Sequence, residues 1–142
     1  MYWTDTKLHT VFAFDFEPEG GNLSRRRVFA RFEPRREGAP LEDYGGRPDG
    51  AAVDSEGCYW AAMYEGQRLV RLAPDGRLLQ AIPLPVRCPP MPCFGGADLR
   101  TLFVTTARDK RPADELAQQP WAGRVLQCRV DVPGLPVNFA DV

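Results

Sequence analysis

Short runs in which large apolar side chains alternate with polar or small ones recur along the whole chain, broken by clusters of Gly, Pro, Asp and Asn. A period of two marks a strand with one covered face. Met1–Thr6 and Thr10–Phe16 are the first such runs. In the second, Val11, Ala13 and Asp15 alternate with Phe12, Phe14 and Phe16, which predicts the rings on one face. Glu17–Asn22 is a turn, Leu23–Phe32 a third strand, and the polar stretch Glu33–Gly45 a long loop. Gly50–Val53, Cys58–Met63, Gln67–Leu72 and Arg77–Pro85 follow as four short strands. They are joined by tight turns at Asp54–Gly57, Glu65-Gly66 and Pro74–Gly76, the pattern of an antiparallel meander.

Beyond the meander, Pro83–Pro92 holds five prolines. Proline cannot donate to a ladder, so this segment predicts a rigid connection. Cys93–Phe94, a turn at Gly95–Leu99, Thr101–Thr106 and Gly123–Val130 then restate the strand–turn–strand pattern. Asp109–Pro120 between them is polar and long enough for a helical turn around Ala113–Ala117, and the tail after Pro133 reads as irregular. Gly and Pro make up 13 and 14 of the 142 residues, spread evenly, which suits a protein of many turns.

The aromatic pair Tyr2-Trp3 returns as Tyr59-Trp60 and as Leu102-Phe103, each followed by a turn and an amphipathic strand. Repeats of about 40–50 residues built from four short strands are the signature of a β-propeller blade. The fold class expected is therefore all-β, with about three four-stranded antiparallel blades. Propellers close with typically four to eight blades. Three would leave open strand edges, so the chain is expected to pair with something or to be a piece of a longer protein.

Charge and cysteine content narrow the chemistry. A formal net charge of −1 gives no field for nucleic acid or an anionic membrane. Arg25-Arg26-Arg27, the one basic run, reads as a solvated strand edge, and no apolar run is long enough to cross a bilayer. The strand pattern at Met1 has no leader-like character, so a cytoplasmic setting with reduced thiols is expected. Cys58, Cys88, Cys93 and Cys128 form no Cys-x-x-Cys pair and His9 is the sole histidine, which argues against a zinc site. Cys58 and Cys128 read as small core residues.

The stretch Gly46–Trp60 (GRPDGAAVDSEGCYW) carries the best candidate for chemistry. Asp49 lies between Pro48, which fixes φ, and Gly50, which permits redirection. A carboxylate on stiff backbone suits a hard cation, although Asp-containing turns also serve only to cap amides. Asp54 and Asp75 read as structural hairpin residues, with Asp75 facing solvent. Asp5 reads as a strand-end hydrogen bonder, His9 as an exposed turn residue, and Trp3, Trp60 and Trp121 as packing between blades.

Taken together, MYWTDT…VFAFDFEPEGGNLSRRRVF, GRPDGAAVDSEGCYWAAMYEGQRLVRLAPDGRLLQAIPLPV, CFGGADLRTLFVTTAR and QPWAGRVLQCRVDVPGLP resemble the C-terminal half of the senescence marker protein/regucalcin/gluconolactonase family. The resemblance covers almost the whole chain. It implies a six-bladed β-propeller of which residues 1–142 form half, and a metal-dependent hydrolase of sugar lactones. It also implies a divalent cation, calcium or zinc, held by a Glu, an Asn and the Asp of Pro-Asp-Gly. Only the last maps here, onto Asp49, which the resemblance makes both metal ligand and catalytic group. The substrate contacts of the family have no counterpart in this sequence. Pro90, Met91, Pro92 and Cys93 depart from the family's usual residues ahead of Phe94-Gly95-Gly96. The expectation is a fragment inactive alone, completed by an N-terminal half or by a second copy. The alternative is a non-catalytic half-propeller for binding or assembly.

Overall fold

The computed structural model describes residues 1–136 and places ten strands in three antiparallel sheets. β1 (Tyr2–Asp5), β2 (Thr10–Glu17) and β3 (Asn22–Arg31) form the first sheet. β4 (Arg47–Val53), β5 (Tyr59–Tyr64), β6 (Arg68–Leu72) and β7 (Leu78–Pro83) form the middle one. β8 (Met91–Gly95), β9 (Thr101–Thr105) and β10 (Val125–Arg129) form the third. A short helix, α1 (Ala113–Gln118), and a 3-10 turn at Leu41–Asp43 are the described helical pieces. These are propeller blades laid side by side, with β1, β4 and β8 brought close together along one side of the stack.

Four strands were expected in each blade, and only the middle sheet has four among the described residues. β1 matches β5 and β9, the second strands of their sheets, so the inner position beside β1 is filled by no described strand. The tail expected to be irregular is partly ordered: Gly134 bridges Asp54, and Ser55 N donates to Pro133 O at 2.8 Å. Leu135 N donates to Val53 O at 3.2 Å, and the tail from 137 to 142 lies outside the described residues.

Two cores hold the stack together, one on each face of the middle sheet. Tyr59, Ala61 and Met63 join Val11, Val70 and Leu72 against the first sheet. Trp60 and Ala62 join Leu69, Leu102 and Val104 against the third. This explains why Tyr59–Met63 is apolar at every position: covered faces on both sides remove the need for alternation.

The expected register of the aromatic repeat is corrected by one residue. Tyr2 points to the middle sheet, its ring 4.8 Å from that of Tyr59. Trp60 points onward to the third sheet, 5.9 Å from Phe94. Tyr2 therefore corresponds to Trp60 and Phe103, and Trp3 turns to the opposite face. A slip of one residue along a strand exchanges its two faces, and two adjacent aromatics conceal such a slip. Trp3 consequently stacks on Phe14 at 6.2 Å and stays 57% exposed, and Trp121 is 56% exposed. Of the three tryptophans only Trp60 packs between sheets. In β2 it is Val11 that meets the middle sheet, while Phe12, buried beneath the Arg26 guanidinium at 4.1 Å, and Phe14 share the other face with Trp3.

Candidate functional site

Asp49 lies inside β4, where a tight turn was expected. β4 pairs with β5 through Pro48↔Met63 and resumes at Ala51↔Ala61, so Asp49 and Gly50 together face Ala62 alone. This is a β-bulge, a device that re-aims a side chain without ending the strand. Gly50 is required by contact. A Cβ there would lie 2.2 Å from Met91 Sδ and 2.6 Å from Pro90 O. The amide of Gly50 donates to that same Pro90 carbonyl at 2.7 Å, which ties the bulge to the lead-in of β8.

The half-buried Asp49 side chain accepts no hydrogen bond among the described residues. It borders an open groove of about 380 Å³ that is also lined by Tyr2, Thr4, Gly50, Tyr59 and Met91. Across the groove, the Thr4 and Tyr59 hydroxyls meet at 2.9 Å. Burial raises the Asp49 pKa above the ordinary 3.8, and the nearby Arg47 guanidinium offsets part of the rise. The folded state therefore binds this proton more tightly than the unfolded chain. The ionised carboxylate costs stability, and that cost sets in as pH rises through the window from 3.8 to the raised value. Asp49→Asn is expected to melt at a higher temperature than the parent at pH 7. The gap should shrink as pH falls toward 3.8; a variant less stable at pH 7 would contradict this.

The end of the stack that holds Asp49 also gathers the long connections. Arg47 Nη1 lies 2.9 Å from Glu65 in the β5–β6 turn. Arg111 donates to Glu65 at 3.2 Å and, through two nitrogens, to Glu115 of α1 at 2.8 and 2.7 Å. Arg87 approaches Glu115 at 3.6 Å and donates to Leu41 O at 3.2 Å. One chain of ion pairs thus joins the 32–46 loop, the middle sheet and the 106–124 connection. Sequence reasoning passed over it, although Glu115 stands four residues after Arg111, the spacing of a helical ion pair. His9 has φ 52° as a turn residue would, but its ring is half-buried and meets Tyr44 Oη at 2.5 Å.

The remaining acidic candidates are structural, as expected. Asp54 has a fully buried side chain. It accepts from Cys58 N at 2.9 Å, Glu56 N at 3.0 Å, Trp60 Nε1 at 2.9 Å and Arg71 Nε at 2.8 Å. Burial alone would raise its pKa, but the donors from Trp60, Arg71 and Cys58 outweigh burial and hold it below 3.8. Asp75, 68% exposed, caps Arg77 N at 3.0 Å, and Asp5 caps Leu8 N at 3.0 Å. Arg25 and Arg27 pair with Asp15 on the exposed surface. All four cysteines are free; Cys58 is buried and Cys128 packs against the core. No described helix is long and apolar enough to cross a membrane.

The chemistry of Asp49 suits one oxygen ligand of a divalent cation. Among the described residues no group of three His, Cys, Asp or Glu side chains could hold a metal ion. The described residues do not make up a cation site by themselves.

The family model for the SMP-30/Gluconolactonase/LRE-like region matches residues 1–108. The chain is 46% identical over 135 residues to the 6-deoxy-6-sulfogluconolactonase of Pseudomonas putida, covering 94% of this chain and 43% of that protein. It is 36% identical over 138 residues to rabbit (Oryctolagus cuniculus) regucalcin, covering 96% and 43%. Among solved structures, a luciferin-regenerating enzyme superposes with TM-score 0.76 at 27% identity, covering 95% of this chain and 43% of that one. A calcium-binding regucalcin of Agrobacterium tumefaciens superposes with TM-score 0.81 over 94% and 43%; at 24% identity it speaks for the fold alone. The chain spans less than half the length of these relatives. From the family match and these relatives together, the chain belongs to the SMP-30/gluconolactonase/LRE-like family.

Proposed function

We propose that this chain is part of a hydrolase of sugar lactones, corresponding to the C-terminal half of a complete propeller, and that Asp49 is its contribution to a divalent-cation site, calcium or zinc. The observation that supports this most is the bulge. It breaks the β4 ladder to hold one unpartnered carboxylate at an open groove, at the end of the stack where the long loops meet. The name of one relative, a sulfogluconolactonase, supports the substrate class.

A bound divalent cation supplies polarisation of a carbonyl and activation of a water. Of this chain's own groups, Asp49 would hold and orient the cation and lies where a carboxylate could accept a proton from the attacking water. Arg47, held by Glu65, fixes the strand that carries it. The other ligands would come from polypeptide outside residues 1–142 or from a second copy, so the chain alone is expected to show little or no turnover. The cytoplasm is the setting in which four free thiols would persist.

The test is an assay of gluconolactone hydrolysis with calcium, zinc and manganese, on the chain alone and on a complete relative carrying the same Pro-Asp-Gly. The equivalent of Asp49→Ala in the relative should lower turnover by about a hundredfold or more, while the chain alone should show little or none with either residue. Full activity in the relative's variant would sink the role given to Asp49. A chain whose partner lacks other cation ligands would instead be a binding or assembly module.

A further inference from the structure

In two of the three sheets the second strand turns into the third within a few residues, 6–9 after β1 and 65–67 after β5. The matching connection in the third sheet runs over residues 106–124 and carries α1. A connection this long in a compact fold is commonly a lid or a binding loop. It is built as a neck and a head. The Thr106 hydroxyl lies 3.1 Å from Trp121 O and 2.6 Å from Arg124 O, and a Cβ on Gly123 would lie 3.3 Å from that of Arg108, so the two legs close on each other. Ala107 N donates to Cys88 O at 2.8 Å, which ties the neck to the connection between β7 and β8. The head, residues 111–119, begins after Lys110, whose φ of 56° redirects the chain, and stops at Pro120.

The head has little of its own to hold it in place. A helix of 6 residues is too short to be stable alone, and Pro112 at its N-cap provides no side-chain cap. No residue of α1 is fully buried, and Leu116 is the side chain that it sets against the core. Polar contacts supply the remaining attachment. Arg111, doubly bonded to Glu115 inside the head, reaches out to Glu65 at 3.2 Å. Gln119 Oε1 accepts from Arg87 N at 2.7 Å. Glu115 faces Arg87 Nε at 3.6 Å, beyond a hydrogen bond, and that buried nitrogen has no partner among the described residues. The seated head therefore leaves a charged donor unsatisfied, a cost that water removes when the head lifts. Sparse apolar contact and a polar attachment characterise units that open well below the free energy of global unfolding.

We infer that residues 111–119 are a cover that lifts as one body on Lys110 and Pro120, latched to the middle sheet by Arg111 on Glu65 and seated on Arg87 by Gln119 and Glu115. Glu65 is shared, since it also lies 2.9 Å from Arg47 on the strand that carries Asp49. Lifting the cover leaves Glu65 to Arg47 alone, so the latch is wired to the candidate site. Each partner in the latch belongs to the middle sheet, to the connection into β8 or to the head itself. The inference does not rest on the lactone chemistry.

Hydrogen exchange of the full chain, followed residue by residue, tests this without any ligand. The Leu116 and Gln119 amides, bonded within the head to Pro112 O and Leu116 O, should share one protection factor, lower than that of the Ala61 and Val70 amides in β5 and β6. Glu65→Gln lies outside the head and leaves the helix residues unaltered. It should speed exchange of both head amides by about tenfold, the effect of one lost hydrogen bond to a charged group, with Ala61 and Val70 unchanged. Arg111→Met should do the same, and takes its place if near-ultraviolet dichroism shows that Glu65→Gln fails to fold. Head amides that exchange at unrelated rates, or as slowly as the core, would overturn the inference. So would a folded latch variant in which they keep their parent rates, or in which all three sheets exchange faster together. Failure of both variants to fold would overturn it as well, because the sheets beneath a cover form without its latch.

Discussion

Asp54→Ala should cost about 3–5 kcal/mol of folding stability, the scale for removing one partner of a buried charged network, and so most of the stability of a small domain. The carboxylate is wholly buried and satisfies four donors at once: the Glu56 and Cys58 amides, the Trp60 indole and the Arg71 guanidinium. Alanine leaves all four without an acceptor, and Arg71, only 14% exposed, keeps a charge whose remaining partner is the solvated Glu56. The damage would spread because Trp60 is a central residue of the core between the middle and third sheets. Asp54→Asn should fail almost as badly, because its amide would turn donors toward donors.

The sign of the pH effect follows from the depressed pKa of Asp54. A carboxyl that binds its proton more weakly when folded contributes stability above 3.8, and that contribution is lost as pH falls below it. The parent should therefore lose stability steeply in that acid window, and Asp54→Asn less steeply. Urea denaturation across pH measures both. A loss under about 1 kcal/mol at pH 7 would show that solvent replaces these hydrogen bonds.

The second large effect is expected at Gly50. Its substitution by alanine should cost about 1–3 kcal/mol, the range for forcing atoms into a packed site, and by valine more. The Met91 sulfur at 2.2 Å can swing away, but the Pro90 carbonyl at 2.6 Å is backbone and also holds the Gly50 amide. Met91→Ala should therefore rescue Gly50→Ala only in part. Full rescue would place the whole conflict on the sulfur, and unchanged stability in Gly50→Ala would mean that β8 is free to withdraw. Because the bulge carries Asp49, the same variant should alter any property that depends on that carboxylate.

Much of this architecture could be read from the residues. The strand boundaries around Tyr59–Leu72 and Thr101–Thr105 follow the apolar runs and the Gly- and Asp-bearing turns closely. Asp75 and Asp5 cap the turns that their spacing suggests. Hidden, by contrast, was the nature of the Asp49 segment. Pro-Asp-Gly is a turn signal, and only the pairing of Pro48 with Met63 and of Ala51 with Ala61 turns it into a bulge. The burial of Asp54 was equally hidden, since Asp-Ser-Glu-Gly reads as a surface hairpin until Trp60 and Arg71 close over it. The ion-pair chain from Arg47 to Arg87 pairs residues up to 46 positions apart, Glu65 with Arg111, beyond any local pattern.

By itself the sequence determined the strands, the repeated blade and the family, because these follow from periodicity, turn chemistry and motif order along the chain. Only the tertiary structure decided which face of each strand meets which neighbour. A period of two says that alternate residues share a side but not which side, so the stacking of three sheets alone buries Tyr2 and Trp60 and leaves Trp3 uncovered. It likewise took the close approach of β8 to β4 to require a glycine at position 50 and to pin the bulge on which the carboxylate of Asp49 is carried.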